Sequence, residues 1–271
     1  MLAFRRNVNS QFGEDGIIEH LFGKLGISDG GTCCEFGAWD GKAASNTFRL
    51  VKERNFRALY IEGDSEKYKD LLDTCKEYPN ITPVHEMVSN NLDSIFEKND
   101  FPYDIDILSI DVDSIDYEIW RDTHKVNPKV VIIEPNNAIP SWVKKPVYDP
   151  ANGGANYYIL AELGREKGYT LVCNTSNMFF VRNDICVLET DDRIFPWHFE
   201  DDLKQLIFHI ARTPNIEDTV REFVTYFKNE PNHFIHKYVP AESIEDFITE
   251  CPKYCKGVRL GFLDISMKVP M

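Results

Sequence analysis

The sequence predicts an α/β fold: a three-layer sandwich on a mainly parallel seven-stranded sheet with one reversed strand. Three observations predict it. First, short apolar runs end in acids, as in Cys33-Cys34-Glu35-Phe36-Gly37, Ala58-Leu59-Tyr60-Ile61-Glu62 and Ile107-Leu108-Ser109-Ile110-Asp111. Apolar runs of this length suit strands buried on both faces. Second, helical segments alternate with these runs, which argues for parallel strands joined by crossovers. Third, the last two runs are separated only by Thr175-Ser176-Asn177, so they can pair only as antiparallel strands.

The elements follow in order. Residues 10–25 read as an amphipathic helix with Ile17, Ile18, Leu21, Phe22 and Leu25 on one side. Gly30-Gly31 breaks the chain before the first strand, which carries Cys33 to Gly37. A helix is expected over 45–54, a strand over 57–61, and a helix over 65–78 that Ser65 caps. Then come a strand over 81–88, a short helix over 92–98, a strand over 106–111 and a helix over 117–123. A strand over 129–133 ends in Glu134. The stretch 135–154, rich in Pro, Gly and Asn, is too long for a simple connector, and long loops in compact domains often carry function. A helix over 157–167 stops at Gly168, and strands over 170–174 and 178–182 close the sheet. The chain thus divides into a sheet domain, 1–183, and an extension, 184–271. The extension is expected to be mostly helical, around 202–211 and 216–227, and to serve acceptor binding or dimerisation.

Composition narrows the function. The 271 residues can bury one sizeable core, and 43% hydrophobic with 13% aromatic content describes a globular chain. A net charge of −14 disfavours nucleic acid, which needs a basic face. Lys144-Lys145 and the stretch 253–259 are the local exceptions, and solvated surface charge is the favoured reading of them. No apolar run reaches the ~18 residues of a membrane span, and no signal peptide is read at the start. Cys33-Cys34 read as packing residues. Cys251 and Cys255 lack a second pair at zinc-like spacing, so a reducing cytoplasmic setting is expected.

Acids at the carboxyl ends of strands lie where open α/β sheets bind ligands. Glu35 with Gly37 and Asp40-Gly41 forms an acidic first turn that would repel a pyrophosphate, and G-x-G-x-x-G and the P-loop lysine are both absent. Glu62 stands where an acid can take a ribose diol. The plainer reading is that Glu62 and Asp64 serve the following helix dipole. Together these turns favour a cationic, ribose-containing cofactor without phosphates, a description that S-adenosylmethionine meets.

Over residues 10–182 the chain resembles the class I S-adenosylmethionine-dependent methyltransferases, and more narrowly the FkbM-like group. The resemblance rests on Ser10-Gln11-Phe12-Gly13-Glu14-Asp15-Gly16, Glu35-Phe36-Gly37-Ala38-Trp39-Asp40-Gly41, Tyr60-Ile61-Glu62-Gly63-Asp64, and Ser109-Ile110-Asp111-Val112-Asp113 with Asp116-Tyr117. Ser114-Ile115 departs from it, since similar sequences often have Gly-Asn there. It implies a Rossmann-like sheet. It also implies cofactor contacts from Glu35, Gly37 and Asp40, and from Glu62 on the ribose beside Gly63 and Asp64. Met87, Val88 and Ser89 would lie near the adenine and Asp111 near the methionine end, with Gln11 and Asp15 closing over the cofactor.

Asp111, Asp113 and Asp116 crowd one strand end, and Glu134 ends the neighbouring strand. Such crowding calls for a cation or hydrogen-bond donors. Asp111, Asp113 and Glu134 form a candidate oxygen-only set for Mg²⁺ or Mn²⁺. Asp113, Asp116, Glu134 and His198 are the candidate catalytic groups; in the metal-free alternative a general base takes the acceptor proton. Trp142 and Tyr148 are candidates for stacking on a sugar, and Lys144 and Lys145 for meeting an acidic acceptor. The leading expectation is O-methylation of a sugar hydroxyl, with a homodimer compatible. The alternatives are a non-sugar small-molecule acceptor, a nicotinamide-dependent oxidoreductase, and a binding module without catalysis.

Overall fold

The elements of the computed structural model, which describes residues 4–137, 139, 146–188 and the backbone of 259–260 and 263–264, follow the expected alternation. In chain order they are α1 (Glu14–Leu25), β1 (Thr32–Phe36), α2 (Phe48–Arg54), β2 (Arg57–Glu62), α3 (Ser65–Glu77), β3 (Ile81–His85), α4 (Leu92–Lys98) and β4 (Ile107–Ile110). Then follow α5 (Asp116–Asp122), β5 (Val130–Ile133), β6 (Tyr148–Asp149), β7 (Gly154–Ala155), α6 (Tyr157–Glu166), β8 (Tyr169–Asn174) and β9 (Met178–Arg182).

Seven strands form one sheet in the order β3-β2-β1-β4-β5-β9-β8. The first five pair in parallel, whereas β9 runs antiparallel to both β5 and β8. The expected sheet with one reversed strand is therefore present.

The apolar runs explain the layers. Alternate residues of each strand face opposite sides. Cys34, Phe36, Leu59, Ile61, Leu108, Ile110 and Val131 point to one core, under residues of α4, α5 and α6. Cys33, Ala58, Tyr60, Ile107, Val130 and Ile132 point to the other, under α1, α2 and α3. Each fully buried large apolar side chain contributes roughly 1.5–3 kcal/mol, so both faces must be covered for the sheet to persist. Cys33 and Cys34 are free thiols, one in each core, as expected of packing residues.

Several local expectations change. Helix α1 starts at Glu14 rather than residue 10, because residues 8–10 are bound as a loop on Asp15. Asp64, not Ser65, caps α3: its carboxylate accepts from the backbone N–H of Glu66 and Lys67. Those bonds hold its pKa below the usual carboxylate value. Strand β3 ends at His85, which leaves Met87, Val88 and Ser89 in the loop after it. The stretch 135–154 carries a small hairpin, β6 with β7. Of the extension, the described residues 259–260 and 263–264 form a short antiparallel ladder. No helix among the described residues is long and apolar enough to cross a membrane.

Candidate functional site

The parallel strands β1, β2, β4 and β5 end on one edge of the sheet, and each ends in or runs into an acid: Glu35, Glu62, Asp111 and Glu134. None of these four carboxylates is ion-paired to a Lys or Arg among the described residues. The partners of Glu35, Glu62 and Glu134 are hydroxyls and amides, and Asp111 lies close to Glu134.

Glu35 is buried and fastens the loop that leads into α2. It accepts from Ser45 Oγ at 2.8 Å, Asn46 N at 3.1 Å, and Thr47 N and Oγ1 at 3.0 and 2.5 Å. Burial pushes its carboxyl above the usual range, and the bonds from Thr47 and Ser45 work against that push. The network continues through Thr47 Oγ1 to Tyr60 Oη and through Asn46 Nδ2 to Ser109 Oγ. Gly37 lies in the left-handed region, φ 70°, and a Cβ there would run into the Asp111 carbonyl. Its small size thus serves close approach to the neighbouring strand end. Asp40 Oδ1 accepts from the backbone N–H of Lys42 and Ala43 and so shapes the turn.

Glu62 joins two turns. Its Oε2 accepts from Trp39 N and its Oε1 from Asp64 N, both at 2.8 Å. A carboxylate offers about four acceptor positions, so each oxygen keeps capacity for a further donor. Beside it Gly63 leaves room for Met87: a Cβ on Gly63 would sit 2.9 Å from Met87 Cε. Met87 is exposed, Val88 is buried, and the Ser89 amide donates to Asn91 Oδ1.

Asp111, Asp113 and Glu134 come together, each offering an oxygen within 4.8 Å of the others. Asp113 is exposed and left-handed, φ 63°, a conformation that Asp tolerates better than most residues. Asp116 is buried and builds the turn by accepting from Val112 N and Ser114 N. That bonding answers the Ser114-Ile115 departure, because the turn closes on Asp116. Burial raises the Asp116 pKa, while the amides of Val112 and Ser114 lower it. Burial and mutual repulsion push Asp111 up to about 7 and Glu134 up to about 9. Their oxygens are within reach of each other, so a proton retained on the pair relieves the repulsion.

The N-terminal segment reaches this edge through residues that sequence reasoning passed over. Glu14 is buried and accepts from Phe12 N, Thr175 Oγ1 and Asn177 Nδ2. Ser176 O, in the β8–β9 turn, accepts from Asn137 Nδ2, which also donates to Glu134 Oε1. Asp15 Oδ2 accepts from Val8 N, Asn9 N, Ser10 N and Ser10 Oγ. Its observed task is thus to hold the segment before α1. Gln11 lies exposed on that segment.

Tyr148, expected as a sugar platform, is half-buried against Tyr117 with ring centroids 5.4 Å apart. His198, Trp142, Lys144, Lys145, Cys251 and Cys255 lie outside the described residues. Trp39 belongs to a motif noticed in the sequence, but its exposure was not legible there.

No protein-family model matches the chain, and no curated protein matches its sequence. Among solved structures, an uncharacterized protein from Listeria monocytogenes serotype 4b matches with a TM-score of 0.50 at 13% identity, covering 87% of this chain and 98% of that one. M. capricolum TrmK, in complex with its natural cofactor product S-adenosyl-homocysteine, matches with a TM-score of 0.47 at 12% identity, over 89% and 98% of the two chains. A SAM dependent methyltransferase from Aquifex aeolicus matches with a TM-score of 0.40 at 12% identity, over 63% and 88%. The chain has a Rossmann-like, mostly parallel seven-stranded fold, which it shares with the Listeria protein.

Proposed function

We propose that this chain is an S-adenosylmethionine-dependent O-methyltransferase of the FkbM-like group, acting on a sugar hydroxyl of a nucleotide-linked sugar or polysaccharide precursor. The observation that carries the reading is the acidic edge itself: Glu35, Glu62, Asp111 and Glu134 side by side with no cationic side chain paired to them among the described residues. Acids gathered without a cationic partner favour a cationic ligand. They disfavour a pyrophosphate, which a nicotinamide cofactor would bring to the first turn.

The donor set fits the cofactor. The remaining acceptor capacity of Glu62 matches a ribose diol, and Met87, exposed next to Gly63, offers an apolar contact for adenine. When bound, S-adenosylmethionine supplies an electrophilic sulfonium methyl. The protein then has to align an acceptor hydroxyl with that methyl and exclude water. Asp113, on the open side of the cluster, is suited to receive that hydroxyl. Glu134 lies beside it and, with its pKa raised to about 9, holds a proton at neutral pH; it is suited to take the hydroxyl's proton once its own has been displaced, as a bound cation would do.

The three carboxylates also fit a divalent cation, since Asp111, Asp113 and Glu134 are hard oxygen ligands in reach of one another. A bound Mg²⁺ or Mn²⁺ would lower the pKa of a coordinated hydroxyl. A sugar acceptor, with adjacent hydroxyls, suits such a site.

Calorimetric titration with S-adenosylhomocysteine, in EDTA and then with Mg²⁺ or Mn²⁺, tests the reading. Micromolar binding is expected, followed by labelled-methyl transfer to a nucleotide sugar. Absence of binding to folded protein under both conditions sinks the proposal, and binding of NADH instead would move the chain to the oxidoreductases.

A further inference from the structure

We infer that Trp39 is an adenosine-stacking residue, held in an unfavourable backbone conformation so that its indole stands exposed at the end of β2. The inference rests on the cofactor reading above and adds to it a residue that the acidic edge alone does not identify.

Trp39 is the first central residue of a tight turn in which Gly41 N donates to Ala38 O at 2.7 Å. Its φ is 47°. Turns with positive φ at this position are dominated by Gly, Asn and Asp, because their backbones tolerate it. A bulky tryptophan there is a genuine outlier, and such strain persists only where surrounding structure enforces it. The enforcing contact is visible: Trp39 N donates to Glu62 Oε2 at 2.8 Å.

The strained residue does not bury its ring. Trp39 is 48% exposed, and Met87, packed close to Gly63, is 70% exposed. The described contact of the indole is with Lys67, whose Nζ lies 5.8 Å from the ring centroid. Lys67 and Glu62 both belong to the β2–α3 corner, so the indole stands by the end of β2. At that corner the residues therefore present an aromatic face, a soft thioether and a carboxylate with spare acceptor capacity. Together they recognise a flat base attached to a ribose diol. Adenine can stack on any such aromatic face, and a methionine adapts to the base edge. An apolar packing role does not explain an indole left half in solvent.

Adenosine reaches this corner in S-adenosylmethionine, in S-adenosylhomocysteine or in a dinucleotide, and the test separates these sources. The wild type, Trp39→Gly, Trp39→Leu and Trp39→Phe are each titrated with S-adenosylhomocysteine, adenosine and NADH, and each is melted without ligand. Trp39→Gly should melt higher by a few degrees, since glycine relieves the strained φ. It should bind S-adenosylhomocysteine about tenfold more weakly, as expected for loss of one stacked base. Trp39→Leu should weaken binding to a similar degree, whereas Trp39→Phe should stay within about threefold.

If Trp39→Gly and Trp39→Leu bind S-adenosylhomocysteine as tightly as the wild type, the stacking role is wrong and the methyltransferase reading stands. If wild type binds adenosine or NADH but not S-adenosylhomocysteine, and the variants lose that binding, the stacking role stands and the methyltransferase reading fails. If folded wild type binds none of the three, both are overturned.

Discussion

Glu62 serves the fold and the ligand with the same two oxygens. Each accepts one backbone amide, Trp39 N or Asp64 N, and each keeps capacity for a ribose hydroxyl. Glu62→Ala should therefore weaken S-adenosylhomocysteine by roughly 1–3 kcal/mol, the range for a lost hydrogen bond to a charged group. It should also lower the melting temperature, because two amides lose their partner. Glu62→Gln separates the two effects: one carbonyl oxygen still accepts an amide, so part of the stability returns, while the charge is gone. Calorimetry beside thermal melts of both variants reads the split. Unchanged affinity in Glu62→Ala would remove the residue from the ligand site. Glu35 is the instructive contrast, because four donors from Ser45, Asn46 and Thr47 already converge on it. An acid at a strand end was visible in the sequence for both residues. The donors that answer each acid were not, because they come from loops whose paths the sequence does not specify.

Elements were legible in proportion to the length of their pattern. Strands β1, β2, β4 and β5 are continuous apolar runs buried almost throughout, so their existence and order could be read directly. The β6–β7 hairpin escaped notice because two-residue strands carry no period to detect. The start of α1 drifted where Asp15 captured the backbone first, whereas α3 starts where expected and only its cap moves from Ser65 to Asp64. The same kind of capture joins elements far apart in sequence. Glu14 meets Thr175 across 161 positions, a contact with no local signal. Asp93 on α4 takes the backbone N–H groups of His124, Lys125 and Val126 and so anchors the segment between α5 and β5. Burial alone would raise the Asp93 pKa, but the amides of Val126, His124 and Lys125 outweigh it and the net shift is downward. Asp93→Ala should cost about 1–3 kcal/mol in urea unfolding at neutral pH, since three amides lose their acceptor. A folded pKa below the unfolded value gives stability that is present above the unfolded pKa and lost as pH falls through the folded one. The gap between wild type and Asp93→Ala should therefore narrow in acid, and a constant gap down to about pH 3 would refute this account.

The molecule as a whole is acidic, with a net charge of −14, and its sheet gathers part of that charge on one edge. Asp111 and Glu134 have folded pKa values raised above the unfolded carboxylate range, to about 7 and about 9. The sign is opposite to that of Asp93. Between the unfolded pKa near 4 and the raised folded values, the native state holds protons that the unfolded chain has lost. Their contribution is full below the unfolded pKa and is lost as pH rises through the folded values, at up to about 1.4 kcal/mol per pH unit for each retained proton. In EDTA the melting temperature should thus fall between about pH 5 and about pH 9. General repulsion among the surplus acids pushes the same way, so the slope alone does not identify the cluster. Glu134→Gln does, because it removes one charge of 44 acids yet should take away much of the slope. If Mg²⁺ or Mn²⁺ binds the cluster, it replaces the retained protons as the compensating charge, and its addition should flatten the wild-type profile far more than that of Glu134→Gln. Equal flattening in both proteins would mean that the cation only screens the surface. An unchanged slope in Glu134→Gln would mean that the acids at the edge are ionised and compensated by other means, and would withdraw Glu134 as the holder of a retained proton.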